Sequence, residues 1–170
     1  MGLRFATALS AGRRLTPTLA MHITRRAVLA VCFAPAMAGA GATGPGSFEN
    51  DDAWDWVNDC TRSAGPKAIA AAFRTVSGSY VEAPEASAAI AAAEVVAAAR
   101  GKPGPGFPGE LRDWLERQTR AEIAGLAPVA VKVIERIANG PGSELQTLWK
   151  QSKHYDRWQR NMQDLLARLQ

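Results

Sequence analysis

Apolar residues recur every three or four positions from about residue 50 onward, and Gly or Pro interrupts the pattern at short intervals. A repeat of this length places side chains on one face of an α-helix, whereas a β-strand alternates every second residue. No alternating pattern is present in this stretch. The sequence therefore predicts an all-α fold, an irregular bundle of six to seven short helices, in a single domain of residues 41–170.

The first predicted helix, about residues 51–63, shows how the helix boundaries are placed. Asn50 has the side chain of a helix N-cap, and Gly65-Pro66 ends the pattern. The apolar face of this helix consists of Ala53, Trp56, Val57, Cys60 and Ala64. Later helices are predicted directly after Gly65-Pro66, over residues 85–100, 110–120 and 128–138, from the capping box Ser143-Glu144-Leu145-Gln146, and over residues 155–169.

The helix predicted at residues 85–100 is largely alanine, which indicates close contact with other helices in the middle of the bundle. It is followed by Gly101–Pro108, a stretch whose Pro and Gly content predicts a loop.

Residues 1–40 have the features of a leader. From Met21, a short positive region ends in Arg25-Arg26, an apolar stretch follows, and small residues up to Ala42 offer cleavage sites. The stretch Thr24-Arg25-Arg26-Ala27-Val28-Leu29 is similar to the twin-arginine export motif. We therefore expect export, and a periplasmic or secreted protein after cleavage.

Several other interpretations of this segment stay open. Residues 1–20 carry three arginines and no acid, which fits an over-long gene start upstream of Met21 or an organelle transit peptide. A lipoprotein signal at Leu29–Cys32 fits poorly, because Val31 is bulky where a small residue is needed. The general secretory route is the alternative to twin-arginine export. If the extension is a gene-start artefact, the protein is cytoplasmic.

The net charge of +4 originates in the leader. Residues 1–46 carry five arginines and no acid, so the remaining 15 basic side chains face 16 acidic ones and leave the domain near −1. A domain without a basic surplus is not expected to bind nucleic acid. No stretch reaches the roughly 18 apolar residues of a membrane span, so none is expected in the mature form.

Cys60 and His154 are the only cysteine and histidine after residue 40. A disulfide within the domain and a histidine-rich metal site are therefore not expected. The loop Gly101–Pro108 lacks the Lys-Ser/Thr pair of a phosphate-binding loop. We expect no cofactor and no metal.

Three parts of the sequence resemble a bacterial family known only as domain of unknown function 4259. The Gly-rich turn that begins at Gly41, with Phe48-Glu49-Asn50-Asp51-Asp52 after it, resembles the family's opening. Ala91–Ala98 resembles its central helix, and Ser143-Glu144-Leu145 with Trp149 resembles its late element. The resemblance covers about residues 41–169, and it implies a helical fold without an assigned activity.

The first helix carries the most prominent candidate residues, Asp51, Asp52, Asp55 and Asp59. Their spacing favours a solvated helix face, with Asp51 and Asp52 in the first turn where the helix dipole stabilises carboxylates. The alternative is a site for a cation or for a basic partner protein.

Two further candidates lie elsewhere in the chain. Glu94 stands among alanines and valines, where a carboxylate needs an Arg or a Trp N–H as its partner, or else becomes a general acid through a raised pKa. Trp149 is one of five tryptophans at apolar helix positions, which favours core packing over a ligand- or partner-binding groove.

These observations favour a non-enzymatic protein-binding or accessory module of the bacterial cell envelope, whose partner is another protein. The alternative is a small exported hydrolase that works through carboxylates such as Asp52 and Glu94. No catalytic motif supports an enzyme directly, so a binding function is the main hypothesis.

Overall fold

Helices account for most of residues 44–170, the part of the chain that the computed structural model describes. They are α1 (Asp51–Arg62), α2 (Lys67–Thr75), α3 (Ala83–Ala99), α4 (Gly109–Glu116), α5 (Arg120–Ala124), α6 (Ala127–Asn139), α7 (Glu144–Lys150) and α8 (Tyr155–Leu169). The all-α prediction is confirmed. The leader of residues 1–40, with its alternative start at Met21, lies outside the described residues.

Residues 44–170 contain eight helices, one more than the upper number predicted, because α5 follows the helix predicted at residues 110–120 as a separate element. Helix α4 ends at Glu116, and the backbone at Thr119 is extended before α5 begins. The side chain of Gln118 occupies this break, where its amide donates to Trp114 O and its carbonyl accepts from Gly65 N. A helix as short as α5, with only Ile123 buried, is too short to show an apolar repeat.

Helix α3 forms the centre of the bundle and contacts each of the other seven helices. Thirteen of its 17 residues are buried. Alanine is the commonest among them, and its small side chain lets neighbouring helices approach closely on every side. The prediction that the alanine-rich helix lies in the middle of the bundle is confirmed.

The starts of α1 and α7 are capped by side chains, as their sequences predict. Asn50 Oδ1 accepts a hydrogen bond from Ala53 N at 2.8 Å, and Ser143 Oγ accepts from Gln146 N at 3.3 Å. The second half of the predicted capping box is absent, because Gln146 Oε1 accepts from Lys150 Nζ at 3.2 Å while the side-chain amide donates to Ala138 O. Gln146 therefore joins α7 to the end of α6.

The loops before α3 and before α7 lie side by side, joined by Val81 N to Gly142 O at 2.9 Å and Glu144 N to Val81 O at 3.0 Å. The guanidinium of Arg136 donates to Ser79 O at 2.9 Å and also to Pro141 O. Arg136 thereby holds both loops against α6. Among the described helices, none has the length and hydropathy that a membrane-spanning segment requires.

Candidate functional site

The outer face of α1 carries three of the predicted aspartates. Asp51, Asp55 and Asp59 are all exposed. Asp59 lies 3.5 Å from Arg62, and this largely solvated pair contributes little to stability. Within residues 44–170, the side chains of Asp51 and Asp55 make neither a hydrogen bond nor an ion pair. Their negative charges are therefore available to a partner.

A tryptophan lies beside this row of aspartates on α1. Trp54 is 39% exposed, and its indole N–H donates to Phe48 O at 2.9 Å. Phe48 packs edge-on against Phe107, with ring centroids 6.0 Å apart. The indole is therefore held by the turn before α1, while part of its apolar surface faces solvent.

Asp52 differs from the other α1 aspartates because it is partly buried. One of its carboxylate oxygens, Oδ2, is buried without a hydrogen-bond partner among the described residues. Burial raises the pKa of Asp52, and the negative charges of Asp55 and Asp51 raise it further. The ionised form of this carboxylate is therefore less favourable in the folded chain than in the unfolded chain.

Glu94 is buried in α3 with 4% of its surface exposed, and both of its carboxylate oxygens are paired. Arg168 donates to Oε2 at 2.7 Å and to Oε1 at 2.8 Å, and the Ser47 hydroxyl donates to Oε1 at 2.8 Å. Of the alternatives that the sequence leaves open for Glu94, the arginine partner is the one observed. A carboxylate–guanidinium pair with two hydrogen bonds fixes the position of α8 relative to α3.

Arg168 extends this pair into a network. Its Nε donates to Asp164 at 2.7 Å, and its Nη1 lies 3.3 Å from Lys102 O in the loop after α3. The loop can approach because residue 104 is glycine: a Cβ there would lie 2.6 Å from Glu94 Oε2 and 2.9 Å from Arg168 Nη2. The network thus joins the N-terminal turn, α3, this loop and α8.

Trp149 belongs to a different region, an aromatic stack of α7 and α8. Its ring lies 6.2 Å from that of Trp158 at an interplanar angle of 14°, and Tyr155 stacks on Trp158 at 6.1 Å. Beside the stack is a cavity of about 30 Å³ with Ser47 and Ser87 among its lining residues. A space of this size holds one or two water molecules rather than a ligand.

Cys60 is fully buried and unpaired among the described residues, and burial raises the pKa of its thiol to about 12. The nucleophilic thiolate is therefore almost absent at neutral pH. Within residues 44–170, His154 is the only histidine, and it is exposed at the start of α8.

The structure does not gather the six predicted residues into one site. The aspartates lie on α1, Glu94 is inside the bundle, and Trp149 is in the aromatic stack. In residues 44–170, no three His, Cys, Asp or Glu side chains form a group that could hold a metal ion. Sequence reasoning missed Arg168, although it stands beside the buried Leu165 and Leu169 on α8, where a charge needs an internal partner.

Residues 44–170 thus define a class of small all-helical domain, with an acidic helix face outside and an arginine–glutamate pair inside. The chain belongs to the family described as domain of unknown function (DUF4259), whose profile matches residues 41–161. The resemblance found from the sequence is confirmed. No curated protein and no solved structure matches the chain.

Proposed function

We propose that the domain is a non-enzymatic binding module that engages a basic segment of another protein through the outer face of α1. The observation that carries this proposal is the combination of two unpaired carboxylates, Asp51 and Asp55, with the exposed indole of Trp54. Carboxylates attract Lys and Arg side chains, and an aromatic face binds the same cations by a cation–π interaction. A basic partner therefore satisfies both features at once.

The leader supports a place for this module in the bacterial cell envelope. Its arginine pair, apolar stretch and small residues before Thr43 fit an export signal that is removed. Mass spectrometry of the native protein tests this, with a mature chain beginning near Gly39, Gly41 or Thr43 as the expected result. A native chain that retains Met21 would contradict export.

Native co-purification tests the binding function itself. We expect the tagged protein to recover a stoichiometric partner from the periplasmic fraction, and added salt to weaken the complex because exposed charges are screened. The variant Asp51→Asn/Asp55→Asn/Asp59→Asn should lose the partner. The matched control Asp113→Asn/Asp156→Asn removes exposed aspartates from α4 and α8 and should keep it. Equal recovery by both variants would remove the α1 face from the proposal.

The alternative, a carboxylate-dependent exported hydrolase, has one observation in its favour, the raised pKa of the partly buried Asp52. Glu94 supports it less well, because both of its oxygens are engaged by Arg168 and Ser47. Hydrolase screens on the unmodified chain and on Asp52→Asn and Glu94→Gln would decide between the hydrolase and the binding module. An activity that is lost in either folded variant would establish a catalytic carboxylate and displace the binding proposal.

A further inference from the structure

A shallow groove lies between the C-terminal end of α2 and helix α6. Its volume is about 250 Å³. The lining residues are Phe73, Val76, Ser77, Val129, Lys132, Val133 and Arg136. Val129 is 47% exposed at its edge. Val129 is therefore the main apolar surface that the groove presents to solvent, since Phe73, Val76 and Val133 are only 4–7% exposed.

The charged residues that line the groove are both basic. Arg136 is held in position by the carbonyl oxygens of Ser79 and Pro141, which bring no negative charge to the groove. Lys132 is exposed, and within the described part of the chain its ammonium has no hydrogen-bond or ion-pair partner. An occupant should therefore combine an apolar group with negative charge.

The size of the groove favours a protein side chain as the occupant. Its volume is below the range of about 300–1,000 Å³ that is usual for small-molecule pockets, and it is open to solvent. One large side chain from a docking surface fits such a groove better than an enclosed ligand does.

The same chain carries a surface with the required chemistry. On α1, the exposed Trp54 lies to one side of the unpaired carboxylates of Asp51 and Asp55. We propose that the groove binds the α1 face of a second copy of this chain, with the indole of Trp54 against the valines and Asp55 facing Lys132. This inference rests on the proposed function, since it uses the same face and names its partner.

The contact differs from a symmetric dimer interface, because the two surfaces that meet are different. Such a contact leaves one α1 face and one groove free in every pair, so association can continue head to tail. One indole and a few charge pairs bury less than the roughly 1,200 Å² of a stable interface. The association should therefore be weak, dependent on protein concentration and reduced by salt.

Charge reversal tests the pairing, measured by sedimentation velocity of the purified full chain across a wide range of concentrations. Lys132→Glu and Asp55→Lys should each weaken self-association at least tenfold, because each places like charges against each other. The double variant Lys132→Glu/Asp55→Lys reverses the pair in every contact and should restore association. Both positions are exposed and unpaired within the described residues, so the fold should tolerate the changes.

Lys153→Glu and Asp156→Lys are the matched controls, since both residues are exposed and lie outside the groove and α1. They should associate like the unmodified chain. A wild-type chain that stays monomeric at every concentration would overturn this inference, as would a double variant that associates no better than either single one. If the α1 aspartates are still needed to recover another protein, the proposed function stands without self-association. If replacing the α1 aspartates changes neither self-association nor the recovery of another protein, both proposals fail.

Discussion

The side chains of Glu94 and Arg168 exchange two hydrogen bonds where neither charge reaches much solvent. The exposed fraction is 5% for the glutamate side chain and 14% for the arginine side chain. Removal of two charges from water is costly, so such a pair adds little net stability compared with apolar residues of the same size. Replacement of only one of the two residues is destabilising, because the remaining charge is left buried without its counter-ion.

We expect Arg168→Met to lower the free energy of unfolding by about 3–5 kcal/mol, since it leaves the Glu94 carboxylate buried and unpaired. The double variant Glu94→Met/Arg168→Met should regain most of this loss. Arg160→Met, an exposed arginine on the same helix, is the control and should change stability by less than about 0.5 kcal/mol. Urea unfolding of the four proteins measures the effect. An equal loss of unfolding free energy in the single and double variants would show that the effect comes from packing rather than from the unpaired buried charge.

Asp52 leads to a prediction about pH. Its pKa is higher in the folded chain than in the unfolded chain, so the ionised carboxylate destabilises the fold at neutral pH. This destabilisation is lost as the pH falls through the folded-state pKa toward the ordinary aspartate value of 3.8. Asp52→Asn should therefore raise Tm near pH 7, and the difference from wild type should shrink as the solution is acidified.

Thermal unfolding over a pH series measures this difference. Asp156→Asn is a suitable control, because Asp156 occupies the first turn of α8 and is exposed. It should not show the same convergence with wild type at low pH. A gain in Tm for Asp52→Asn that is constant with pH would contradict the electrostatic explanation.

At the scale of secondary structure, the sequence predicts the elements that have their own apolar repeat and their own Gly, Pro or capping boundary. Helices α1, α3 and α8 agree with the predicted ranges to within two residues at each end. Helix α5 was missed because it is held by its neighbours rather than by a pattern of its own. The partner of Glu94 could be predicted only as a residue type, since Arg168 lies 74 residues further along the chain.

The packing around α3 predicts the effect of adding volume. Ala93 has no exposed surface, so Ala93→Leu forces larger atoms into a close helix contact and should destabilise the domain by about 1–3 kcal/mol. Ala88 is on the same helix but partly exposed, and Ala88→Leu should have an effect of about 1 kcal/mol or less. Chemical denaturation measures both. A tolerated leucine at position 93 would mean that the helices around α3 can separate without much loss.

At the scale of the whole molecule, the sequence predicts which residues share one helix face more readily than which residues of different helices lie together. The acidic face of α1 is visible in the spacing of Asp51, Asp55 and Asp59. The groove between α2 and α6 is not, because its lining combines residues from two helices whose contact no local pattern encodes. Sequence reasoning therefore found one of the two surfaces that the binding proposals use.

Hydrogen exchange should show that local stability differs between the central helix and the short peripheral helices. Because α3 contacts every other helix, its backbone amides can exchange only when the whole bundle opens. The short helices α5 and α7 should exchange faster, through local opening. Exchange measured by mass spectrometry on peptides from these three helices checks this order. Protection of α5 equal to that of α3 would mean that the domain opens only as one unit.

The long separation between Glu94 and Arg168 also has a consequence for synthesis. At about 5–20 residues per second, the ribosome adds the arginine roughly 4–15 s after the glutamate. During that interval the central helix has its carboxylate but not the counter-ion, and α8 is not yet available to cover the core. The nascent chain therefore exposes apolar side chains for several seconds, and chaperones compete with folding for them.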